Sequence, residues 1–308
     1  KPERPRVDHS PIYELLEQVQ AYFFEQLKTH PTKARAVDYL KGRGLSGQIA
    51  KRFGIGYAPD AWDGVLKTFG GNDTQIARLL DAGLIIENDN KKRYDRFRDR
   101  IMFPIYDRRG RVVGFGGRII DNGEPKYLNS PETPVFQKRR ELYGLHQLRR
   151  ASQRPERIFV VEGYMDVVAL AQFGVNNAVA SLGTATTSEQ LESLFKAAPE
   201  VVFCYDGDKA GQRAAWRALE TVLPLIRDTR QAGFFFLPEG HDPDSYVREQ
   251  GAEVFQTRRS ITPLSQFLVD EIAGKTDMKS PDGRARFVEL ARPLLKKIPP
   301  GSFQQLLI

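Results

Sequence analysis

The sequence predicts an α/β protein with a mostly parallel sheet flanked by helices, preceded by a mixed α+β basic segment and followed by a helical segment. From residue 157, short apolar runs alternate with amphipathic stretches, which is typical of parallel strands buried between helices. The first 80 residues instead show helical periodicity, and a strongly basic stretch with hairpin signals follows. The predicted domains are residues 1–155, 156–258 and 259–308.

The first segment is predicted to begin with helices. In residues 11–28 the apolar side chains recur every three or four positions, which places them on one face of an amphipathic helix. Shorter helices are expected at residues 34–40, after a cap at Ser46, and at residues 74–80. Residues 54–59 are predicted to be turn and extended chain.

A β-rich element is predicted next. Residues 101–106 and 111–115 flank a four-residue turn and form a hairpin signal, and a further short strand is expected at 126–128. The glycines of 114–117 lack the strand–loop–helix context of a phosphate-binding loop. We therefore expect a bend there, or a close approach of the backbone within the sheet.

The second segment is predicted to alternate strands and helices. The expected strands are residues 157–161, 177–181, 201–205 and 233–237. The expected helices between and after them are residues 165–173, 188–198, 210–227 and 245–251. Two further helices are expected at 263–272 and 283–297.

The charge distribution points to a polyanionic partner. The chain carries a formal net charge of +7, and residues 91–157 hold 18 Lys and Arg against 8 Asp and Glu. Nucleic acid is the commonest partner of such a basic block, although a solvated charged face is the simpler alternative for a charge run taken alone.

Composition excludes several classes of protein. One cysteine rules out an internal disulfide, and together with only four histidines it rules out a Cys/His zinc cluster. No apolar run approaches the roughly 18 residues of a membrane span, and no secretory leader is recognisable. We expect a reduced, soluble, cytoplasmic protein.

Acidic residues follow three of the predicted strands. Glu162 comes directly after the first strand, Asp206 and Asp208 follow the third, and Asp242 and Asp244 follow the last. Because ligand sites of such sheets lie beyond the carboxyl ends of the strands, we expect these acids on one rim. Carboxylates are ligands for hard cations such as Mg²⁺, and acids from several strands can hold two ions about 4 Å apart.

A structural role is the alternative for each of these acids. Aspartate at a strand-to-helix turn is often only a helix N-cap, and Asp242 before Pro243 fits that pattern. Asp166 falls inside the first helix of this segment and is the weaker candidate. A glutamate and two Asp-x-Asp pairs in one sheet are not readily explained as chance caps.

At this point the motifs resemble a known family. Glu162 at a strand end and the later Asp-x-Asp pairs resemble the TOPRIM fold, shared by DnaG-type primases, topoisomerases and some nucleases. Longer strings resemble bacterial DnaG-type primases and cover most of the chain: EGYMDVV (162–168), YDGDKAG (205–211), DPD (242–244), RDRIMFPI (98–105), PKYLNSPET (125–133), ELYGL (141–145) and GIGYAP (54–59).

The resemblance implies a DNA-directed RNA polymerase, a nucleotidyltransferase that makes short RNA primers on single-stranded DNA for replication. It implies Mg²⁺, with Mn²⁺ as the alternative, as two or more ions and no zinc in this fragment. The catalytic candidates are Glu162, Asp206 and Asp208, with Glu162 as metal ligand or base. Glu162, Asp206, Asp208, Asp242 and Asp244 are the candidate metal ligands.

The basic block is expected to bind the template and the nucleoside triphosphate. Arg98 and Arg100 alternate with apolar residues and are therefore expected to face one groove. The candidates for nucleotide and DNA binding are Arg98, Arg100, Arg118, Lys126, Asn129 and Lys138.

Further expectations concern partners and missing modules. Single-stranded DNA, nucleoside triphosphates and an RNA primer are the implied partners, with the replicative helicase and single-strand-binding protein added for the full-length protein at the bacterial replication fork. The family's zinc-binding and helicase-binding modules are both expected to be absent, and the last helical segment to be truncated. The alternative functions are another TOPRIM enzyme, such as a topoisomerase or nuclease, and a non-catalytic nucleic-acid binder.

Overall fold

The computed structural model describes residues 8–307, which form two compact units divided between Gln147 and Leu148. The domain boundary after residue 155 stays a prediction. The helical segment 259–308 is part of the second unit, and its predicted separation from residues 156–258 stays a prediction.

The first unit contains both helices and short strands, as the sequence predicted. Its helices are α1 (Ser10–Thr29), α2 (Lys33–Gly42), α3 (Gly47–Phe53), α4 (Gly64–Phe69) and α5 (Asp73–Asp81), and the unit boundary falls inside α6 (Leu145–Ala151). Its strands are β1 (Gly56–Ala58), β2 (Ile85–Glu87), β3 (Arg93–Asp95), β4 (Arg100–Tyr106), β5 (Val112–Ile119) and β6 (Tyr127–Asn129).

An antiparallel sheet and α1 form the core of this unit. The four-stranded sheet has the order β1-β4-β5-β6, and β2 and β3 form a separate hairpin. Leu16, Val19 and Phe23 on one face of α1 are buried, as the periodicity predicted. The ring of Phe23 meets that of Phe115 on β5 edge-on at 5.4 Å.

The glycines of β5 allow the close approach that the sequence predicted. A Cβ atom on Gly117 would lie 2.9 Å from Cδ of Arg100, and one on Gly114 would lie 3.1 Å from Cβ of Ser130. Neighbouring side chains therefore occupy the space that larger residues would need.

Helix α4 and the β2–β3 hairpin were not predicted. The N-terminal amides of α4 are capped from a distant part of the chain: the buried carboxylate of Asp95 accepts hydrogen bonds from the backbone N–H of Val65 at 2.7 Å and of Leu66 at 3.0 Å. A cap supplied from 30 residues away leaves no local sequence signal.

The second unit alternates strands and helices in the predicted order. Its strands are β7 (Arg157–Val161), β8 (Ala178–Ala180), β9 (Glu200–Asp206), β10 (Gln231–Leu237) and β11 (Thr262–Pro263). Its helices are α7 (Tyr164–Gln172), α8 (Ser188–Phe195), α9 (Lys209–Val222), α10 (Pro243–Gln250), α11 (Glu253–Gln256), α12 (Leu264–Ala273), α13 (Pro281–Leu295) and α14 (Ser302–Leu307).

The sheet of this unit has the order β11-β10-β9-β7-β8, with β10, β9, β7 and β8 mutually parallel and β11 antiparallel at one edge. This confirms the predicted mostly parallel sheet. Helix α9 ends at Val222, earlier than predicted, because a 3₁₀ turn containing Pro224 follows it; proline cannot continue the α-helical hydrogen bonds.

Within residues 8–307, no helix combines the length and hydrophobicity needed to cross a bilayer.

Candidate functional site

The carboxyl ends of three parallel strands lie at the same edge of the sheet in the second unit. Val160 on β7 pairs with Phe203 on β9, and Asp206 at the end of β9 pairs with Leu237 at the end of β10. The acidic residues that follow these strands are therefore brought to one edge of the sheet. We call Glu162, Asp206, Asp208, Asp242 and Asp244 the acidic rim.

Glu162 directly follows β7 and remains partly exposed. Partial burial raises the pKa of its carboxyl group, and the negative charges of Asp206 and Asp208 raise it further. Glu162 is thus electrostatically coupled to both acids of the β9 turn.

The turn after β9 is built around a glycine. Asp208 is the N-cap of α9, and its carboxylate accepts a hydrogen bond from the backbone N–H of Gly211 at 2.7 Å. A Cβ atom on Gly211 would lie only 1.9 Å from the carbonyl oxygen of Asp206, so the turn requires glycine. Burial raises the pKa of Asp206, and the charges of Asp208 and Asp242 add to this.

The β10–α10 turn places two acids in different surroundings. Asp242 caps α10 by accepting from the backbone N–H of Ser245 at 2.7 Å, so the cap interpretation of this residue is confirmed. Asp244 is buried and forms an ion pair with Nε of Arg248 at 2.6 Å. A carboxylate has about four acceptor positions, so neither interaction prevents a role as a metal ligand.

Asp166 lies closer to the acidic rim than its place in a helix suggested. It occupies the first turn of α7, where its carboxylate accepts from the backbone N–H of Gly163 at 3.0 Å. Burial raises its pKa to about 7, helped by the charges of Asp242, Asp244 and Glu162. The packing of α7 against α10 brings these groups together.

The donor set fits a hard divalent cation. Every member of the acidic rim offers carboxylate oxygen, and their like charges raise the pKa of Glu162 and Asp206, which a bound cation would reverse. Within the described part of the chain, three or more Asp, Glu, His or Cys side chains do not already converge on one point. The site is thus suited to a cation in its chemistry, without being closed around one.

Arg98 in the first unit makes cation–π contacts with two aromatic rings. Its guanidinium lies 4.1 Å from the ring centre of Trp62 and 5.3 Å from that of Tyr94, and it also donates to the carbonyl of Asp95. Trp62 is 62% exposed. Trp62 could not be predicted from the sequence as part of a site, because a single tryptophan gives no periodic signal.

Arg98 and Arg100 do not lie on one extended strand, and a groove shared by the two stays a prediction. Asp99 between them has φ of +50°, a left-handed conformation that breaks the extended chain. Arg98 precedes β4, whereas Arg100 is its first residue and is buried.

The guanidinium of Arg100 donates to the carbonyl of Gly117 at 3.3 Å and therefore braces the sheet. Burial lowers its pKa, and the positive charge of Arg98 adds to this effect. Direct binding of a polyanion by Arg100 stays a prediction.

The remaining candidates for nucleotide and DNA binding lie on β5, on β6 or in the chain beside β6. Arg118 is mostly buried, with its guanidinium 5.5 Å from the ring centre of Tyr39 and 5.3 Å from that of Tyr127. Lys126 is exposed just before β6, and Asn129 is the last residue of that strand. Lys138 is partly buried, and its backbone N–H donates to Glu132 at 3.0 Å.

Comparisons with known proteins match three stretches of the chain. Residues 22–149 match the family described as the N-terminal domain of the DNA primase catalytic core, and residues 159–247 match a Toprim-like family. The structure of a DnaG primase catalytic domain bound to single-stranded DNA is 50% identical, with a TM-score of 0.92 over 96% of this chain and 93% of that chain. This chain belongs to the DnaG-type DNA primase family.

Other relatives support the assignment of this chain to the DnaG-type family. A primase domain from Pseudomonas aeruginosa is 51% identical, with a TM-score of 0.93 over 96% of this chain and 94% of that one. The DNA primases of Pseudomonas putida and Escherichia coli K12 are each 52% identical over 100% and 94% of this chain, and over 47% and 50% of their own length. The chain thus spans about half the length of the curated primases that it matches.

One expectation about the DnaG-type modules is overturned. Residues 265–308 match the DnaB-helicase binding domain of primase, so the prediction that helicase-binding sequence is absent was wrong. The periodicity of these residues predicts helices, but amphipathic periodicity does not indicate what a helix binds.

Proposed function

We propose that this chain is the catalytic core of a bacterial DNA primase, which joins ribonucleotides into short RNA primers on a single-stranded DNA template. The observation that carries the proposal is the acidic rim, in which the charges of Asp206 and Asp208 act on Glu162 at the carboxyl edge of a parallel sheet. Other TOPRIM enzymes, such as topoisomerases and nucleases, are the alternatives for a cluster of acids of this kind. Membership of the DnaG-type family favours primer synthesis over these reactions.

In the proposed reaction, a ribose 3′-hydroxyl attacks the α-phosphate of a nucleoside triphosphate. The new bond joins the 3′-oxygen to the α-phosphorus, the bond to the bridging oxygen of pyrophosphate breaks, and the hydroxyl proton passes to a base. Glu162 is the candidate base, because its raised pKa brings it closer to neutral pH, where a carboxylate accepts protons most effectively.

The other carboxylates of the rim would hold divalent cations. Asp206, Asp208 and Asp244 are the first candidates, followed by Asp242, with Mg²⁺ as the preferred ion. A bound ion would neutralise phosphate charge and lower the pKa of the attacking hydroxyl. Asp166 lies beside the rim in the first turn of α7, and its pKa is raised to about 7. Its protonation near neutral pH would change the total negative charge around the rim.

The first unit supplies the surface for nucleic acid and triphosphate. Lys126 offers an exposed point charge, and Arg98 on Trp62 and Tyr94 offers a cation beside exposed aromatic surface. Bases of single strands stack on such aromatic rings, and arginine adds to the interaction. Arg118, Asn129 and Lys138 are the further candidates for contacts with phosphate or sugar.

The segment 265–308 would bind the replicative helicase. It matches the helicase-binding family, and it exposes the apolar side chains of Val269, Met278, Val288 and Leu306. Exposed apolar groups of this kind are typical of protein-binding surfaces. We place the full-length protein at the replication fork in the bacterial cytoplasm, with single-strand-binding protein as a further partner.

The test is ribonucleotide incorporation on single-stranded DNA with Mg²⁺, comparing the wild type with Glu162→Gln. We expect template-dependent products from the wild type and a loss of at least about a hundredfold in the variant. Glu156→Gln is the matched control, since Glu156 is exposed before the other end of the same strand.

A pre-annealed RNA primer should be supplied in parallel reactions so that weak initiation is not mistaken for inactivity. Wild-type activity that Glu162→Gln retains would remove Glu162 from the catalytic centre. DNA binding without any synthesis on the primed template would contradict the proposed polymerase activity of this core.

A further inference from the structure

A cleft of about 280 Å³ opens beside Glu162 in the second unit. One wall is the loop between β8 and α8, which contributes Ser181, Thr184 and Thr186. Helix α9 also lines the cleft and contributes Arg217. The cleft thus combines hydroxyl groups, one cation and small apolar side chains, as small-molecule sites commonly do.

The loop of this cleft is held at both ends. Leu182 is buried, and Gly183 has φ of +74°, which favours glycine. At the far end, Thr187 and Gln190 form a capping box at the start of α8, with Gln190 fully buried. The hydroxyl-bearing residues of the loop are therefore presented from a fixed backbone.

Arg217 is a cation that lines this cleft. Across residues 8–307, its guanidinium forms no ion pair with a carboxylate, although it lies in the unit that carries the acidic rim. Tyr205 also lines the cleft. Burial raises the pKa of its hydroxyl group, the charge of Glu162 raises it further, and the charge of Arg217 lowers it. An arginine that lines a cleft is suited to binding a phosphate.

Primer synthesis requires two nucleotides with different roles. One supplies the triphosphate and loses pyrophosphate, and the other supplies the 3′-hydroxyl. The second must bring its hydroxyl to the catalytic carboxylate, and the cleft adjoins Glu162 directly.

We propose that this cleft binds the nucleotide that supplies the 3′-hydroxyl, with Arg217 contacting its 5′-phosphate and Thr184 and Ser181 contacting its sugar. The inference rests on the proposed primase function and assigns a subsite within it. The residues of the loop and Arg217 are then positioning residues for the attacking nucleotide.

A nucleoside 5′-monophosphate separates the two roles, because it has a 3′-hydroxyl but no pyrophosphate to lose. With 5′-labelled ribonucleoside monophosphates, single-stranded DNA and unlabelled triphosphates, label enters only the first position of a product. We expect Arg217→Ala to raise the KM for the monophosphate about tenfold, the effect of losing one charge-assisted hydrogen bond. The KM for the triphosphate should change less than twofold.

Matched variants sharpen this experiment. Arg213→Ala removes an exposed arginine one turn earlier on α9, outside the cleft lining, and should behave as the wild type. Arg217→Lys should recover part of the monophosphate KM, and Thr184→Val should raise it several-fold whereas Thr184→Ser should not. Equal effects on both KM values, or no effect, would overturn the subsite.

A binding measurement keeps this inference separate from the proposed function. Equilibrium dialysis with labelled monophosphate needs no synthesis, and we expect binding to the wild type that Arg217→Ala weakens about tenfold. If both proteins bind equally, or neither binds, the cleft is not the subsite even when primers are made. If Arg217→Ala weakens monophosphate binding as expected but the wild type makes no primer, the subsite is supported and the proposed primase reaction is contradicted.

Discussion

Glu162 and Asp166 are four residues apart, yet their carboxyl groups belong to different parts of the acidic site. Glu162 is partly exposed and is influenced by Asp206 and Asp208. Asp166 is bonded to the backbone N–H of Gly163 and is influenced first by burial and then by Asp242. Besides burial, the pKa of Glu162 is therefore raised by charges of the β9–α9 turn, and that of Asp166 by charges of the β10–α10 turn and of Glu162 itself.

A substitution at Lys126 tests whether the basic residues of the first unit bind single-stranded DNA. We expect Lys126→Ala to weaken single-stranded DNA binding and to reduce its salt dependence, because each phosphate contact contributes a slope of about 0.7 in a plot of log K against log salt for single strands. Fluorescence anisotropy at several salt concentrations measures both quantities.

The control for this experiment is Lys51→Ala, which removes an exposed lysine from α3, outside the basic block. If the two variants lose affinity and slope equally, net charge is responsible and Lys126 makes no specific contact with DNA.

Glu141 gives a pH-dependent prediction. Burial, followed by the charge of Asp107, raises the pKa of its carboxyl group to about 7 in the folded protein, from an ordinary 4.5. The folded state therefore binds the proton more tightly, and the stability that it contributes is lost as pH rises from about 4.5 through about 7. Glu141→Gln removes this loss and should stabilise the protein at pH 8 by about 1–3 kcal/mol.

Thermal unfolding between pH 5 and pH 8 measures this effect. The stabilisation by Glu141→Gln should be small at pH 5 and grow towards pH 8. Glu17→Gln, which removes an exposed carboxylate from α1, should not follow this course. A constant difference across the range, or the same rise in both variants, would argue against a buried carboxyl as the cause.

At the scale of single elements, α4 depends on a side chain from β3. Asp95 is 3% exposed, and its two oxygens accept from the amides of Val65 and Leu66 at the start of α4. We expect Asp95→Ala to destabilise this element by about 1–2 kcal/mol, the usual cost of a lost N-cap. Hydrogen exchange of residues 64–69 should accelerate most.

Asp60→Ala is the control for this experiment, since Asp60 is exposed in the loop before α4. Unchanged exchange at residues 64–69 in Asp95→Ala would mean that packing alone holds the helix.

The turn between β9 and α9 fixes the positions of Asp206 and Asp208 relative to each other. Asp206 ends the strand, Asp208 caps the helix, and Gly211 accepts the close approach of the Asp206 carbonyl. A side chain at position 211 would collide with that carbonyl, so the two acids keep their places only with glycine three residues after the cap.

At the scale of the whole molecule, the two units carry opposite charge at their candidate sites. The first unit has the basic residues Arg98, Arg118 and Lys126, and the second has the acidic rim. Basic groups bind the phosphates of nucleic acid and triphosphate, whereas clustered acids repel them unless a cation intervenes. The proposed reaction requires both chemistries, which explains why one chain contains both.

The helicase-binding proposal also belongs to this scale. Val288 on α13 is 50% exposed, and we expect Val288→Glu to weaken binding of the chain to the replicative helicase about tenfold or more, because a charge would replace apolar contact surface. Gln305→Glu adds the same charge at an exposed polar position of the segment. Calorimetry should show weaker binding for Val288→Glu alone; equal binding by both variants would remove α13 from the interface.

Local sequence patterns sufficed to predict the alternation of strands and helices in the second unit and the placement of acids after β7, β9 and β10. These features depend on local patterns: apolar runs predict buried strands, and a residue that follows a strand must lie at its carboxyl end. The motifs around Glu162 and Asp206 also sufficed to recognise the family. The expectation that the glycines of 114–117 permit a close approach also holds, although the groups that approach them are side chains such as those of Arg100 and Ser130.

Which side chains meet depends on packing between elements that are distant in sequence. The cap from Asp95 to α4, the burial of Arg100, the left-handed conformation of Asp99 and the contact of Arg98 with Trp62 all depend on residues distant in sequence. The raised pKa of Asp166 and the cleft beside Glu162 likewise arise from packing between elements. Hydrophobic periodicity states which face of an element is buried, but burial and charge at a site depend on what is packed against that face.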